Sequence, residues 1–228
     1  MKCFQYLGRV LLIALIIYND QTLTQMTKLD LTKAYKNYYT ATTTPQVVTI
    51  EKGSFITLTG KGDPDGAAFS ETIGTLYTVA YSIKGICKQQ SKDFIVSKLE
   101  GFWWVEDKHV DPLKVPRSEW CYELAIRMPD YVTHRHFAAA VVTAEKKKHS
   151  SLFREVNFKE IEEGPSVQLL HNGPFSEEPV SLKKMEELMK KDGLAMNGRH
   201  HEIYLSDHRK TQPEKLKTIL RHPVKREG

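Results

Sequence analysis

Cysteine is scarce in this chain and forms no pattern. Of 228 residues three are cysteines, Cys3, Cys87 and Cys121, with no C-x-x-C pair and no zinc-type spacing among them. That excludes a disulfide framework or a zinc site as the basis of the fold, and a reducing cytoplasm is the expected location. Phosphate-binding glycine motifs are missing too. Gly60-Lys61-Gly62-Asp63-Pro64-Asp65-Gly66 has neither the G-K-[ST] ending nor the G-x-G-x-x-G spacing, so it reads as a strand-to-helix turn with Asp65 near the helix cap. No Ser/His/Asp or Cys/His constellation is assignable from spacing. The adjacent His200 and His201 point to opposite faces of a strand and cannot chelate one ion together. Neither a metal nor a cofactor is therefore expected, and Cys87 and Cys121 read as small buried hydrophobes.

Long apolar runs are lacking as well. The run Val10 to Tyr18, behind Lys2 and Arg9, resembles the start of a signal peptide but is too short to span a bilayer, and no small-x-small cleavage pattern follows it. Met26 opens a segment that reads as the start of a globular protein, so residues 1–25 are expected to be an upstream start or a loosely attached extension. No stable membrane association is expected. Nor does one sign of charge dominate: the formal net charge is +5, and the basic residues crowded after Asp207 read as a solvated face. Nothing before the first strand patterns as a helix-turn-helix, so direct nucleic-acid binding is not expected.

With 40% hydrophobic and 27% charged residues, the chain can bury one large core or two fused small ones. A short helix over 31–39 ends in a Thr-rich linker. Val47, Val48 and Ile50, a turn at Glu51-Lys52-Gly53, and Phe55 to Thr59 predict a hairpin. Phe69, Ile73, Leu76, Tyr77 and Ala80 recur at helical spacing, Leu99 to Val105 predicts a strand, and Trp120 to Arg127 alternates as another. Thr133 can cap a helix that ends in Lys146-Lys147-Lys148. An internal echo follows. Ile50-Glu51-Lys52-Gly53 returns as Ile161-Glu162-Glu163-Gly164, Leu58 as Leu169 and Gly62 as Gly173, all at an offset of 111. Pro179 then opens a helix that buries Leu182, Met185, Leu188 and Met189 and closes at Gly193. Two repeats, about 46–130 and 131–207, and a last helix from Pro213 to Leu220 are the expected organisation of a single domain over 26–224.

One stretch carries a charge that a buried strand does not need. In Gly198-Arg199-His200-His201-Glu202-Ile203-Tyr204-Leu205-Ser206-Asp207, alternation puts Ile203 and Leu205 on one face and Glu202 and Tyr204 on the other. A Glu beside a Tyr on an enclosed face is either a paired structural charge or a ligand contact. The closest local word is Tyr122-Glu123-Leu124, which makes Glu123 a candidate counterpart in the other half. Trp103 and Trp104 must face opposite sides of their strand, one of them free for a cleft. Tyr77, Tyr81 and Tyr204 are further candidates for a pocket wall. His171 alternates with Leu169 and Val167, so a satisfied core or edge histidine competes with a ligand contact there.

The order of elements and several words resemble a known family, the stand-alone GyrI-like small-molecule-binding proteins. The matching words are Lys28-Leu29-Asp30-Leu31, Gly60-Lys61-Gly62-Asp63-Pro64, Leu99-Glu100-Gly101-Phe102-Trp103-Trp104, His171-Asn172-Gly173-Pro174, His200 to Asp207 and Pro213 to Arg221. The resemblance implies an α+β fold of duplicated strand-helix-strand-strand units. Its antiparallel sheet would carry helices on one side and a ligand cleft between the halves. It also implies that Glu202 is the central polar group of a cleft for hydrophobic aromatic or cationic compounds. Some members of this branch are similar to enzymes that open the ring of DNA-alkylating cyclopropanoid compounds by adding water. The alternative is a ligand sensor or modulator acting on a protein partner such as DNA gyrase. The chain departs from the common pattern at Phe102, where Leu usually precedes the tryptophans.

Overall fold

The computed structural model describes residues 27–107, 109–110 and 112–227. The expectations for residues 1–25, Cys3 included, lie outside the described residues. In chain order the elements begin with β1 (Leu29–Asp30), α1 (Leu31–Ala34), α2 (Lys36–Tyr39), β2 (Gln46–Ile50), β3 (Gly53–Lys61) and α3 (Ala67–Gln89). There follow β4 (Phe94–Ile95), β5 (Leu99–Trp104), β6 (Cys121–Met128), α4 (His134–Lys148), β7 (Asn157–Ile161) and β8 (Gly164–Asn172). The chain closes with α5 (Glu178–Lys191), β9 (Leu194–Met196), β10 (His200–Tyr204) and β11 (Lys217–Arg226). One antiparallel sheet runs β2-β8-β11-β10-β5-β6-β3-β7, with β9 extending the edge of β11 beyond β10. The duplicated α+β architecture is thus present.

The repeat is carried by register. Across one half Leu58 faces Leu124, which faces Gly101; across the other Leu169 faces Leu220, which faces Glu202. Gly101 and Glu202 face each other on the two central strands. The pseudo-two-fold axis therefore passes between them, and the counterpart of Glu202 is Gly101. Glu123, the expected counterpart, lies on β6 opposite Phe102, two strands from the axis on the other half and on the opposite sheet face. The local word that suggested it matches in sequence but not in register.

Two further expectations are corrected by the topology. The hairpin over 47–59 does not form. β2 leaves its own half to pair with β8, and its equivalent β7 pairs with β3, so the turn at Glu51-Lys52 hands the chain from one half to the other. Residues 217–226 form strand β11 rather than a helix. Leu216, Ile219 and Leu220 suit a helical stripe, but this segment fills the gap between β8 and β10 and gains hydrogen bonds on both edges. Pro223 is tolerated because β10 pairs only through Arg221 and β9 only from Val224, so its missing N–H faces the break between partners. In chain order α4 lies between β6 and β7. Thr133 caps α4 as expected, in a capping box with His136.

Helices α3 and α5 each cover strands of their own half. α3 packs on β3 and β6, with Leu76, Val79, Ala80 and Ile83 fully buried beside Ile56, Leu58, Leu124 and Ile126. α5 packs on β8, with Met185 and Met189 against Val167, Leu169 and Leu220. Neither helix reaches over β5 and β10, so the two central strands form the floor of a cleft between the halves. The opposite sheet face is closed by α1 and α2, whose Leu31, Tyr38 and Tyr39 bury Phe55, Phe102, Ala125, Ile203 and Ile219.

Candidate functional site

Alternation along β10 decides what the cleft contains. His200, Glu202 and Tyr204 point into it, whereas His201 and Ile203 point into the closed face. The cavity has a volume of about 2300 Å³. Its walls are aromatic: Phe69 stacks on Trp103 with ring centroids 5.7 Å apart, and Trp120 meets Trp103 edge-on at 6.0 Å. Phe175, from the turn before α5, meets Tyr204 edge-on at 5.9 Å. Leu182 of α5 and Ile73 of α3 also line it.

Glu202 does not sit in this apolar box unaided. His200 Nε2 lies 3.1 Å from its Oε1, and His200 Nδ1 lies 2.7 Å from Nε2 of His222 on β11. In the neutral imidazole the proton given to the carboxylate leaves Nδ1 as an acceptor, so His222 must donate from Nε2 and keep its Nδ1 lone pair bare. That Nδ1 is buried and has no protein partner. Burial, with His200 adding to it, lowers His222 to about 3. Tyr204 accepts the Trp103 indole N–H at 3.0 Å and hydrogen-bonds Glu202, and burial together with that carboxylate raises it well above the ordinary tyrosine value. Gly101 permits the arrangement. A Cβ there would lie 2.8 Å from Trp103 Nε1 and 2.9 Å from the Tyr204 hydroxyl, so only glycine lets those two groups meet over the axis.

The second acid of the cleft is Glu178, at the start of α5. It is 8% exposed, and its Oε1 has no partner. Burial and the nearby Glu202 carboxylate push it up to about 10, which keeps it a neutral carboxylic acid at physiological pH.

The sequence-derived candidates separate cleanly. Trp103, Tyr204 and Glu202 form the floor, and Tyr77 lines the wall, raised by burial. Tyr81 stands at the rim, 58% exposed, with its ring 6.3 Å from that of Tyr77. Trp104 turns to the other face at the mouth of the cleft, where the Arg199 guanidinium lies 3.6 Å from its ring centroid. Glu123 is outside the cleft, paired with Lys159 at 2.5 Å and Arg199 at 3.1 Å. His171 is outside it too: buried under α5, it bonds the Ser181 hydroxyl at 2.9 Å and the Pro174 carbonyl at 3.1 Å, so both ring nitrogens are occupied. Among the described residues no group of three or more His, Cys, Asp or Glu side chains is gathered to hold a metal ion.

The sequence reading missed Glu178, His200, His222, Trp120 and Phe175 as parts of the site. His200 had a signal, since it shares the strand parity of Glu202. His222 had none while its segment read as a tail beyond a helix. Glu178 also had none, because an acidic residue in a first helical turn is ordinary dipole complementation.

Comparison with known proteins agrees with this geometry. The family model described as a GyrI-like small-molecule-binding domain matches residues 43–225. A conserved protein from Listeria innocua is 40% identical, with a TM-score of 0.81, covering 87% of this chain and 100% of its own. Two structures of hydrolases from the same organism are each 38% identical, at TM-scores of 0.77 and 0.79 with the same coverage. No curated protein matches the chain. With a family model matched over most of its length and relatives of this likeness spanned from end to end, the chain belongs to the GyrI-like small-molecule-binding family.

Proposed function

We propose that the cleft takes up flat, hydrophobic aromatic compounds and opens the strained ring of cyclopropanoid alkylating agents by adding water, so removing their reactivity toward DNA. The observation that carries the reading is the Glu202 carboxylate, held by His200 at 3.1 Å on the floor of a cavity walled by Phe69, Trp103, Trp120 and Phe175. Aromatic faces supply dispersion and exclude bulk water, and cation-π attraction adds about 0.5–2 kcal/mol for a positively charged ligand. In such a box a carboxylate can orient a water molecule and draw off its proton as the oxygen attacks a ring carbon, a general-base contribution of roughly 10²- to 10⁴-fold. The ring is already strained and conjugated, so little more is needed. That relatives at 38% identity are described as hydrolases agrees with this chemistry.

The test is to incubate the protein with a cyclopropane-bearing aromatic alkylator and to follow the compound by mass spectrometry. A product heavier by one water, formed faster than in buffer, is expected. A compound that stays bound and unchanged would instead make the protein a sequestering one, and the absence of binding would overturn the reading altogether.

A further inference from the structure

Among the described residues Glu178 is a buried acid of the cleft with an unsatisfied carboxyl oxygen. Its carboxyl oxygen Oε1 is buried without a partner, and the side chain lines the same cavity as Glu202. Glu202 and Tyr204 of β10 interact with it electrostatically, and His222 of β11 and Tyr77 of α3 line the same cavity; among these the charge acting on it is that of Glu202. A lone neutral carboxylic acid in an apolar cavity costs stability, as any buried polar group without a partner does. Carried on Oε1, its O–H has no acceptor in the protein until a ligand arrives. Glu202 and Glu178 are therefore unlike carboxyl groups on one cavity, one an acceptor fixed by His200 and the other a free donor, which is the division of labour of a base and an acid.

We propose that Glu178 is the proton donor of the cleft: it hydrogen-bonds the carbonyl oxygen of a conjugated cyclopropane ligand and gives that oxygen its proton as the ring opens. The inference rests on the ring-opening reading and names the acid that reading requires. The steps balance as the addition of one water. The water oxygen bonds to the ring CH2 while Glu202 takes a water proton. The ring C–C bond breaks, and its electron pair moves through the conjugated system to the carbonyl oxygen. That oxygen takes the Glu178 proton and stays on the product as a ring hydroxyl. A proton passing from Glu202 to Glu178 restores the starting state.

Glu178→Gln keeps the shape and a hydrogen-bond donor but has no proton to transfer. The expected result is a kcat lower by about 10²-fold, the lower end for a general acid, with KM changed by no more than about threefold. Across a series of alkylators the loss should grow with the basicity of the carbonyl oxygen, a dependence that a packing defect would not produce. A variant with unchanged kcat, or a loss indifferent to that basicity, overturns the proposal. Folding gives a second measurement. Because Glu178 is raised from 4.5 to about 10, the stability it contributes is complete below pH 4.5 and is lost as pH rises toward 10. The variant should therefore melt with the wild type near pH 4.5 and increasingly above it by pH 9; a difference independent of pH contradicts a neutral Glu178. If the wild type adds water to no such compound, the ring-opening reading itself fails, an outcome distinct from a wild type that turns over and a variant that does so equally well.

Discussion

A carboxylate on a sheet face beside tryptophan loses much of its hydration, and here His200 and Tyr204 replace it. The histidine behind His200 predicts a sensitivity to acid. His222 is lowered from 6.5 to about 3, so protons bind the unfolded chain more readily and stability falls as pH drops through that range. On the closed face Glu163 accepts from Arg221 at 3.0 Å and meets His201 at 3.0 Å, and these partners lower it from 4.5 to about 2 against the opposing effect of burial. Its contribution is present above pH 4.5 and lost as pH falls toward 2. The melting temperature should decline in two stretches, beginning below pH 6.5 and steepening below 4.5, and His222→Phe should flatten the first only; a profile flat from pH 6.5 to 3 would contradict both assignments. Gly101 offers a sharper probe of the site. Gly101→Ala drives a methyl into the Trp103–Tyr204 contact, so about 1–3 kcal/mol of overpacking strain and a roughly tenfold loss of affinity for an aromatic ligand are expected, measured by thermal melting and tryptophan fluorescence titration.

At the scale of elements, the exchange of β2 and β7 decides whether a half can stand alone. Without β7, the strand β3 keeps β6 on one side and exposes its other edge; without β8, β2 has no partner at all. A fragment ending at residue 148 is therefore expected to unfold, or to associate through its open edge, as read by circular dichroism and gel filtration. A folded monomer would contradict the exchanged pairing. The same elements show what a sequence can and cannot disclose. Amphipathic helices such as α3, with Leu76, Val79, Ala80 and Ile83 buried, are legible because a stripe of 3.6 periodicity needs no knowledge of the partner. Strands β2 and β3 were legible one by one, but their pairing was not: a turn as short as Glu51-Lys52 suits a hairpin equally well. β11 was misread because Leu216, Ile219 and Leu220 fit a helix locally, and only the vacancy between β8 and β10, a long-range fact, overrides that preference. In the site, parity exposed Glu202 and Tyr204 on one face of β10, and it showed that Trp103 and Trp104 part to opposite faces of β5 without choosing between them. It could not expose Glu178 or His222, which reach the cavity from elements distant in sequence.

For the whole molecule, duplication supplies the cleft and asymmetry supplies the chemistry. Two similar halves place helices α3 and α5 over strands of their own half and leave the central pair bare; on the axis one copy contributes Gly101 and the other Glu202. A second carboxylate at 101 would crowd like charges, whereas glycine leaves room for Trp103 to reach Tyr204. Among the described residues no helix is long and apolar enough to cross a membrane. The account stands or falls on Glu202. The most direct test is Glu202→Gln, assayed in parallel for binding and for water addition to a cyclopropane-bearing aromatic alkylator. Turnover reduced by about 10²-fold or more, with binding of the intact compound retained, is the predicted result; turnover equal to that of the wild type would contradict it.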